Sequence, residues 1–253
     1  MSATLPHPVA LVTGAGAPRV GNFVARTLAS RGYRLAIHAY SSLAAAEATA
    51  AELKTAGGDA IALAANLGDE AQVHRLVAAV VRHFGRIDAL VNCAAIWERK
   101  PLEQVTAQDV RRHFEANALG TFLCCREAGL IMIGQTEGGA IVNLGDWATV
   151  RPYRDYAAYF PSKGAIPALT RSLAVELGTR NPRVRVNAVL PGPVMLPTSL
   201  SEEERAAVVG ATLLKREGTP QHVADAVVFL LENDFITGVC LPVDGGRSIF
   251  AGD

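Results

Sequence analysis

Short apolar runs recur along the chain at Val9–Val12, Arg34–His38, Ala60–Ala64, Ala89–Val91, Ala140–Leu144, Arg185–Val189 and Val239–Pro242. Each is short enough to be a buried strand. Between them, Gly21–Arg31, Ala44–Ala56, Glu70–His83, Thr106–Ile133, Tyr156–Gly178 and Gln221–Leu231 have the composition and length of helices. This alternation predicts an α/β fold with a doubly wound parallel sheet wrapped by helices. The stretch from Pro193 to Gly218 breaks the rhythm with prolines and the charged run Glu202–Arg205, and reads as a substrate lid over 193–218. Within the fifth helical stretch, Pro161 falls in an early turn that tolerates it. Pro167 removes the backbone bond to the Lys163 carbonyl and predicts a local irregularity.

Composition narrows the setting. The 253 residues keep an even composition with no linker, so a single domain is expected. Half are hydrophobic and 24 basic residues balance 24 acidic ones, which argues against disorder and against an electrostatic footprint for nucleic acid. Small molecules or copies of the chain itself are the expected partners. No run approaches the roughly 20 apolar residues of a membrane span, and MSATLPHPVA lacks a basic n-region and an apolar h-region, so a cytoplasmic location is expected. Cys93, Cys124, Cys125 and Cys240 show neither metal-ligand spacing nor a disulfide pattern; reduced core thiols and no metal are expected.

Chemistry enters at the end of the first strand. Thr13-Gly14-Ala15-Gly16-Ala17-Pro18-Arg19-Val20-Gly21 runs into a helix, the context of a dinucleotide-binding turn. Small residues admit a pyrophosphate and the helix N-terminus offers N–H groups and partial positive charge, although a tight strand-to-helix turn has the same look. The second strand ends in Ile37-His38-Ala39-Tyr40-Ser41-Ser42, with no acid to receive the ribose 2′-hydroxyl of NAD. Arg19, His38, Ser41 and Ser42 are instead donors suited to a 2′-phosphate, which points to NADP(H). Arg19 also fits a solvated loop charge, and Ser42 a cap of the next helix.

Tyr159 and Lys163 stand four apart and share a helix face. An ammonium beside a phenol lowers the phenol's pKa toward working pH and makes it a proton donor to a substrate being reduced. The spacing is common by chance; its position gives it weight, since it follows the fifth strand and Asp146 and precedes Pro191-Gly192.

Taken together, Thr13-Gly14 with Gly21, Asn92, Asn117, Tyr159 with Lys163, Pro191-Gly192-Pro193 and Asp244-Gly245-Gly246 resemble the short-chain dehydrogenase/reductase family over essentially the whole length. The resemblance implies a Rossmann-type sheet, a nicotinamide cofactor, and a homotetramer assembled through the long helices carrying Asn117 and Tyr159. It implies that Asn117 holds a water in a proton relay, that Lys163 binds the nicotinamide ribose and tunes Tyr159, and that Tyr159 passes the proton. Mapped onto this chain, the implied cofactor contacts are Gly14, Arg19, Val20, His38, Ser41, Ser42, Asn66, Leu67, Asn92, Ala94, Lys163, Pro191 and Gly192.

Most family members place a serine where this chain has Asp146. A carboxyl group there can hold a proton or accept one, which a serine cannot. Aspartate at this position, with Arg19-Val20-Gly21, resembles the pteridine reductase and dihydromonapterin reductase branch. Trp97 stands where that branch has an aromatic residue stacking the pterin against the nicotinamide. In that reading hydride passes from NADPH to a ring carbon, while Asp146 and Tyr159 deliver a proton to ring nitrogen. Trp97 also fits simple packing under a loop, and Asp146 a bond to backbone. Ala95, Cys93 and Asn66 depart from the patterns usual around the site. The competing expectations are an NADPH-dependent carbonyl reductase acting on ketones, sugars or 3-oxoacyl thioesters, and a cofactor-binding protein without turnover.

Overall fold

The structure, a computed structural model, describes residues 7–250, so the first six residues of the N-terminal segment lie outside it. Seven strands form one parallel sheet: β1 (Val9–Thr13), β2 (Arg34–Ala39), β3 (Ala60–Ala64), β4 (Ala89–Asn92), β5 (Gly139–Leu144), β6 (Val184–Pro191) and β7 (Cys240–Val243). Their order is β3-β2-β1-β4-β5-β6-β7. β1 therefore pairs with β2 on one side and β4 on the other, and the sheet reverses direction of growth between β1 and β4. In such sheets ligands bind at the carboxyl ends of the strands flanking the reversal.

The strands are apolar on both faces because both are covered. Ala10 and Val12 of β1 face a core completed by α1 (Val20–Ser30), α2 (Leu43–Thr55) and α8 (Pro220–Glu232), through Val24, Leu28, Val227 and Leu230. Val9 and Leu11 point the other way, into a core with α3 (Glu70–Phe84), α5 (Gly120–Ile133) and α6 (Tyr159–Gly178), through Leu76, Cys124, Met132 and Leu173. α3 shows how locally the helices are specified. Asp69 accepts from the Gln72 N–H at its start, Gly85 ends it at φ 81°, and Val73, Leu76, Val77, Val80 and Phe84 make its buried stripe.

Three local expectations change. The stretch read as one helix over Thr106–Ile133 is α4 (Ala107–His113), a π-helical turn (Phe114–Leu119) and α5. The irregularity expected at Pro167 is absent at the level of helix continuity, since α6 runs unbroken past it and loses only the one N–H that proline lacks. The segment 193–218 contains a further helix, α7 (Glu202–Gly210), whose signal was a Ser201–Glu204 capping box. The segment is stitched at its base by Gly218 N–H to the Pro193 carbonyl (2.9 Å) and by the Arg205–Glu217 ion pair. The Ala107–Ile133 run is long and apolar enough to span a membrane by composition, but Leu123, Cys124, Ala128 and Met132 spend it on the domain core.

Candidate active site

The crevice between β1 and β4 is pinned by Thr13, whose Oγ1 accepts from the N–H groups of Cys93 (3.1 Å) and Ala94 (3.2 Å). The turn after Thr13 must then pass very close to β4. Gly14 sits at φ +64°, and a Cβ there would lie 2.6 Å from the Ala94 Cα, so only glycine fits. A Cβ on Gly16 would meet Ser42 Oγ at 2.6 Å, which brings the loop and the end of β2 together. At the N-terminus of α1, Arg19 occupies the cap position with no side-chain capping bond, leaving first-turn N–H groups open to an anion. Arg19 and Ser41 are exposed, and Val20 and Ser42 are half-buried beside them. A narrow glycine cradle with an uncapped helix end suits a dinucleotide pyrophosphate.

His38 requires a correction. Its ring is buried, Nδ1 accepts from the Gly14 N–H (3.2 Å), and Nε2 faces the Ala65 carbonyl (3.0 Å). Acceptance at Nδ1 puts the proton on Nε2, so both nitrogens are committed. Burial also pushes its pKa down and keeps it neutral. His38 shapes the turn and offers no donor to a phosphate. Asn66 is exposed and folds its own loop, Oδ1 accepting from Gly68 N–H (3.0 Å), with Leu67 buried beneath. The Asn92 side chain is enclosed, donating to Asn143 (2.9 Å) and to the Cys125 sulfur (3.2 Å). Pro191 ends β6 and Gly192 follows it, both half-buried, with Gly192 N–H donating to the Val243 carbonyl (2.9 Å).

The residues that the sequence offers as catalytic candidates come together at the ends of β4 and β5. Tyr159 donates its hydroxyl to Asp146 Oδ2 (2.7 Å), while Asp146 Oδ1 accepts from the Ala148 N–H (2.8 Å) and starts a short 3-10 turn, Trp147–Thr149. Lys163 is buried and donates to the Leu144 carbonyl (2.7 Å). This reverses the electrostatics expected of a Tyr–Lys pair. Burial and then the Asp146 carboxylate hold the Tyr159 phenol far above its ordinary pKa, so it is a firmly protonated group. Burial raises the Asp146 carboxyl as well, and pushes Lys163 down to about 8 against the pull of Asp146.

Asn117 clamps the strand-end loop. Its Oδ1 accepts from Ile96 N–H (2.8 Å), and its Nδ2 donates to the Ile96 carbonyl (3.0 Å) and to Ser162 Oγ (3.0 Å). Trp97, the next residue, is half-exposed. It stacks on Tyr156 with centroids 4.9 Å apart and planes 10° apart, so one indole face is already covered. Tyr153 meets Tyr156 (5.1 Å) and Phe160 (4.9 Å) edge-on, completing an aromatic wall. Tyr153, Tyr156 and Ser162 were not singled out in the sequence; their nearness to Tyr159 was the available signal.

A family model described as "Enoyl-(Acyl carrier protein) reductase" matches residues 15–248. The chain belongs to the short-chain dehydrogenase/reductase family. This short-chain dehydrogenase/reductase is 39% identical over 238 residues to the 3-oxoacyl-[acyl-carrier-protein] reductase of Rattus norvegicus, covering 93% of this chain and 96% of the relative. An uncharacterized oxidoreductase of Methylorubrum extorquens is 36% identical over 249 residues, covering 96% and 98%. Among solved structures, a provisionally assigned short-chain alcohol dehydrogenase of Sinorhizobium meliloti 1021 superposes with a TM-score of 0.90 at 30% identity, covering 97% of this chain and 98% of its own. The short-chain dehydrogenase/reductase is thus an oxidoreductase of the NAD(P)(H)-using kind with a single Rossmann-like domain.

Proposed function

We propose that the protein is an NADPH-dependent carbonyl reductase in which Tyr159 supplies the proton. The observation that carries this is the 2.7 Å bond from Tyr159 to Asp146 beside the nucleotide crevice. A buried phenol bonded to a carboxyl group stays protonated through the working range, so the group that must give up a proton in reduction carries one. The rat relative's name, a 3-oxoacyl reductase, supports a carbonyl substrate. NADP is favoured over NAD because no acid follows β2, while Arg19 and Ser41 stand exposed beside the half-buried Ser42.

The bound nicotinamide would supply hydride to the carbonyl carbon. Gly14, the open N–H groups around Val20, and Arg19 with Ser41 and Ser42 would hold the phosphates; Ala94, Pro191 and Gly192 would line the crevice between them. Lys163, fixed on the Leu144 carbonyl, would keep positive charge beneath the reacting atoms. Tyr159 would hand its proton to the developing alkoxide and take its replacement from solvent, with Asp146 orienting its hydroxyl. Asn117 would position Ile96 and α6 around them.

Asp146 and the open face of Trp97 favour a second reading, reduction of a pterin or similar flat heterocycle. The experiment is a reduced-nicotinamide absorbance assay with NADPH and NADH against acetoacetyl-coenzyme A, aryl ketones and dihydrobiopterin, using wild type and Asp146→Ser. Carbonyl turnover that Asp146→Ser preserves or raises supports the first reading. Pterin turnover that this substitution lowers tenfold or more replaces it with the second, and cofactor binding without any turnover rejects both. We also propose a homotetramer, supported by exposed Phe122, Leu130 and Ile131 on α5 and Val175 on α6.

A further inference from the structure

The rim of the site beyond Asp146 carries two arginines that the proposed reaction does not use. Arg247 lies in the C-terminal segment after β7, and its guanidinium sits over the ring of Trp147, 4.8 Å from the centroid. Trp147 directly follows Asp146. Arg247 is half-buried and held by one bond to the Val208 carbonyl of α7. Arg151, at the other end of the same short turn, donates from Nη1 to the backbone carbonyls of Arg247 (2.9 Å) and Phe250.

Among the described residues neither guanidinium has a carboxylate within ion-pair distance, although Arg26, Arg86, Arg99, Arg112, Arg126 and Arg205 each have one. The nearest acid in sequence, Asp244, spends its two oxygens on the N–H groups of Gly246 (2.9 Å) and Ser248 (2.7 Å). Two like charges thus stand close together, and burial and then Arg151 lower the Arg247 pKa. Tyr153, packed edge-on against Tyr156 and Phe160, lies within electrostatic reach of both Asp146 and Arg247.

We propose that Arg247 and Arg151 form an anion site at the rim, so that the substrate bears a carboxylate or phosphate group some distance along from the carbonyl being reduced. Arg247 is the anchor: the indole beneath it and the Val208 bond fix the plane of its fork, and its remaining N–H groups suit two oxygens of one anionic group. Arg151 adds charge from the exposed side. Tyr156 stacks on Trp97 and meets Tyr153 and Tyr159 edge-on, aromatic surface beside the proton donor that suits a flat or unsaturated spacer.

This deepens the reductase reading and rests on it for the word substrate, but it can be tested by binding alone. The chain has two tryptophans, one under Arg247 and one in the aromatic wall, so ligand binding is read by tryptophan fluorescence and by calorimetry, with NADP+ present. The probes are 4-acetylbenzoate, 4-acetylphenyl phosphate and methyl 4-acetylbenzoate. Wild type is expected to bind at least one of the anions tenfold or more tightly than the ester, and the two anions separate carboxylate from phosphate. In Arg247→Gln the preference falls toward one, while Arg247→Lys retains part of it. Arg151→Gln, at an exposed position, lowers it about threefold and guards against a misfolded Arg247 variant. The proposal is overturned if wild type shows no preference, binds neither anion, or keeps the preference in the Arg151→Gln/Arg247→Gln double variant. A protein that binds the anion tightly but reduces no carbonyl keeps this site and loses the reductase reading; one that reduces carbonyls with no anion preference does the opposite.

Discussion

At the residue scale, Asp146 decides how Tyr159 behaves. A carboxylate 2.7 Å from a buried phenol opposes its ionisation, and no cation bonds the phenol directly, because Lys163 is turned to Leu144. Replacing Asp146 by serine removes the anion, so the Tyr159 pKa falls. The alkaline limb of the reduction profile is expected to move to lower pH, and alcohol oxidation at neutral pH to quicken relative to reduction; pH profiles of kcat/KM in both directions check this. Lys163 yields a second expectation. With its folded pKa near 8 and its unfolded value near 10.5, the unfolded chain holds more protons between these limits. Stability therefore rises with pH across that window by up to about 1.4 kcal/mol per unit, and this contribution levels off below pH 8, where both states carry the proton, and above 10.5, where neither does. Urea unfolding of wild type and Lys163→Met at pH 7.5, 9 and 10.5 should show this slope in wild type only.

At the element scale, the π-helical turn Phe114–Leu119 puts Asn117 where its amide can serve both sides of the Ile96 peptide. Asn117→Leu leaves that peptide and Ser162 without these partners. The expected loss is about 2 kcal/mol or more of unfolding free energy, with a raised KM because Trp97 follows Ile96. A normal KM in a destabilised variant would confine Asn117 to stability. The strands and most helices were legible because burial on both faces and the caps are written in short stretches of sequence. The π turn was not, because nothing local at Phe114–Leu119 marks it: Asn117 is buried there by partners in β4's loop and in α6. Pro167 misled for a related reason, since a helix held on both sides by packing tolerates one missing bond. At the site, Tyr159 and Lys163 were found from spacing and position, and Asp146 from the family resemblance, as the residue standing where relatives have a serine. The role of His38 was not, because the direction of a side chain at a strand end is set by the neighbouring loop. Arg247 and Arg151 escaped notice because 96 residues separate them in the chain.

At the scale of the whole molecule, an apolar face lies across α5 and α6. If four chains assemble through it, Phe122→Glu with Val175→Glu should reduce the mass seen by light scattering to one or two chains while the far-ultraviolet circular dichroism is kept. A mass of a single chain in wild type would show that the face is not used this way. The strand order has its own consequence for how the molecule comes into being. With β1 innermost among its early partners, β2 and β3 extend one border and β4 through β7 extend the other, so no strand has to be threaded between two already joined. A chain leaving the ribosome can lay down the sheet vectorially, each newcomer adding to an open border. The last to arrive is β7, and it brings Arg247 with it across Trp147. A nascent chain therefore lays down the glycine turn between β1 and β4 well before β7 arrives to pair with the end of β6 and carry Arg247 over Trp147.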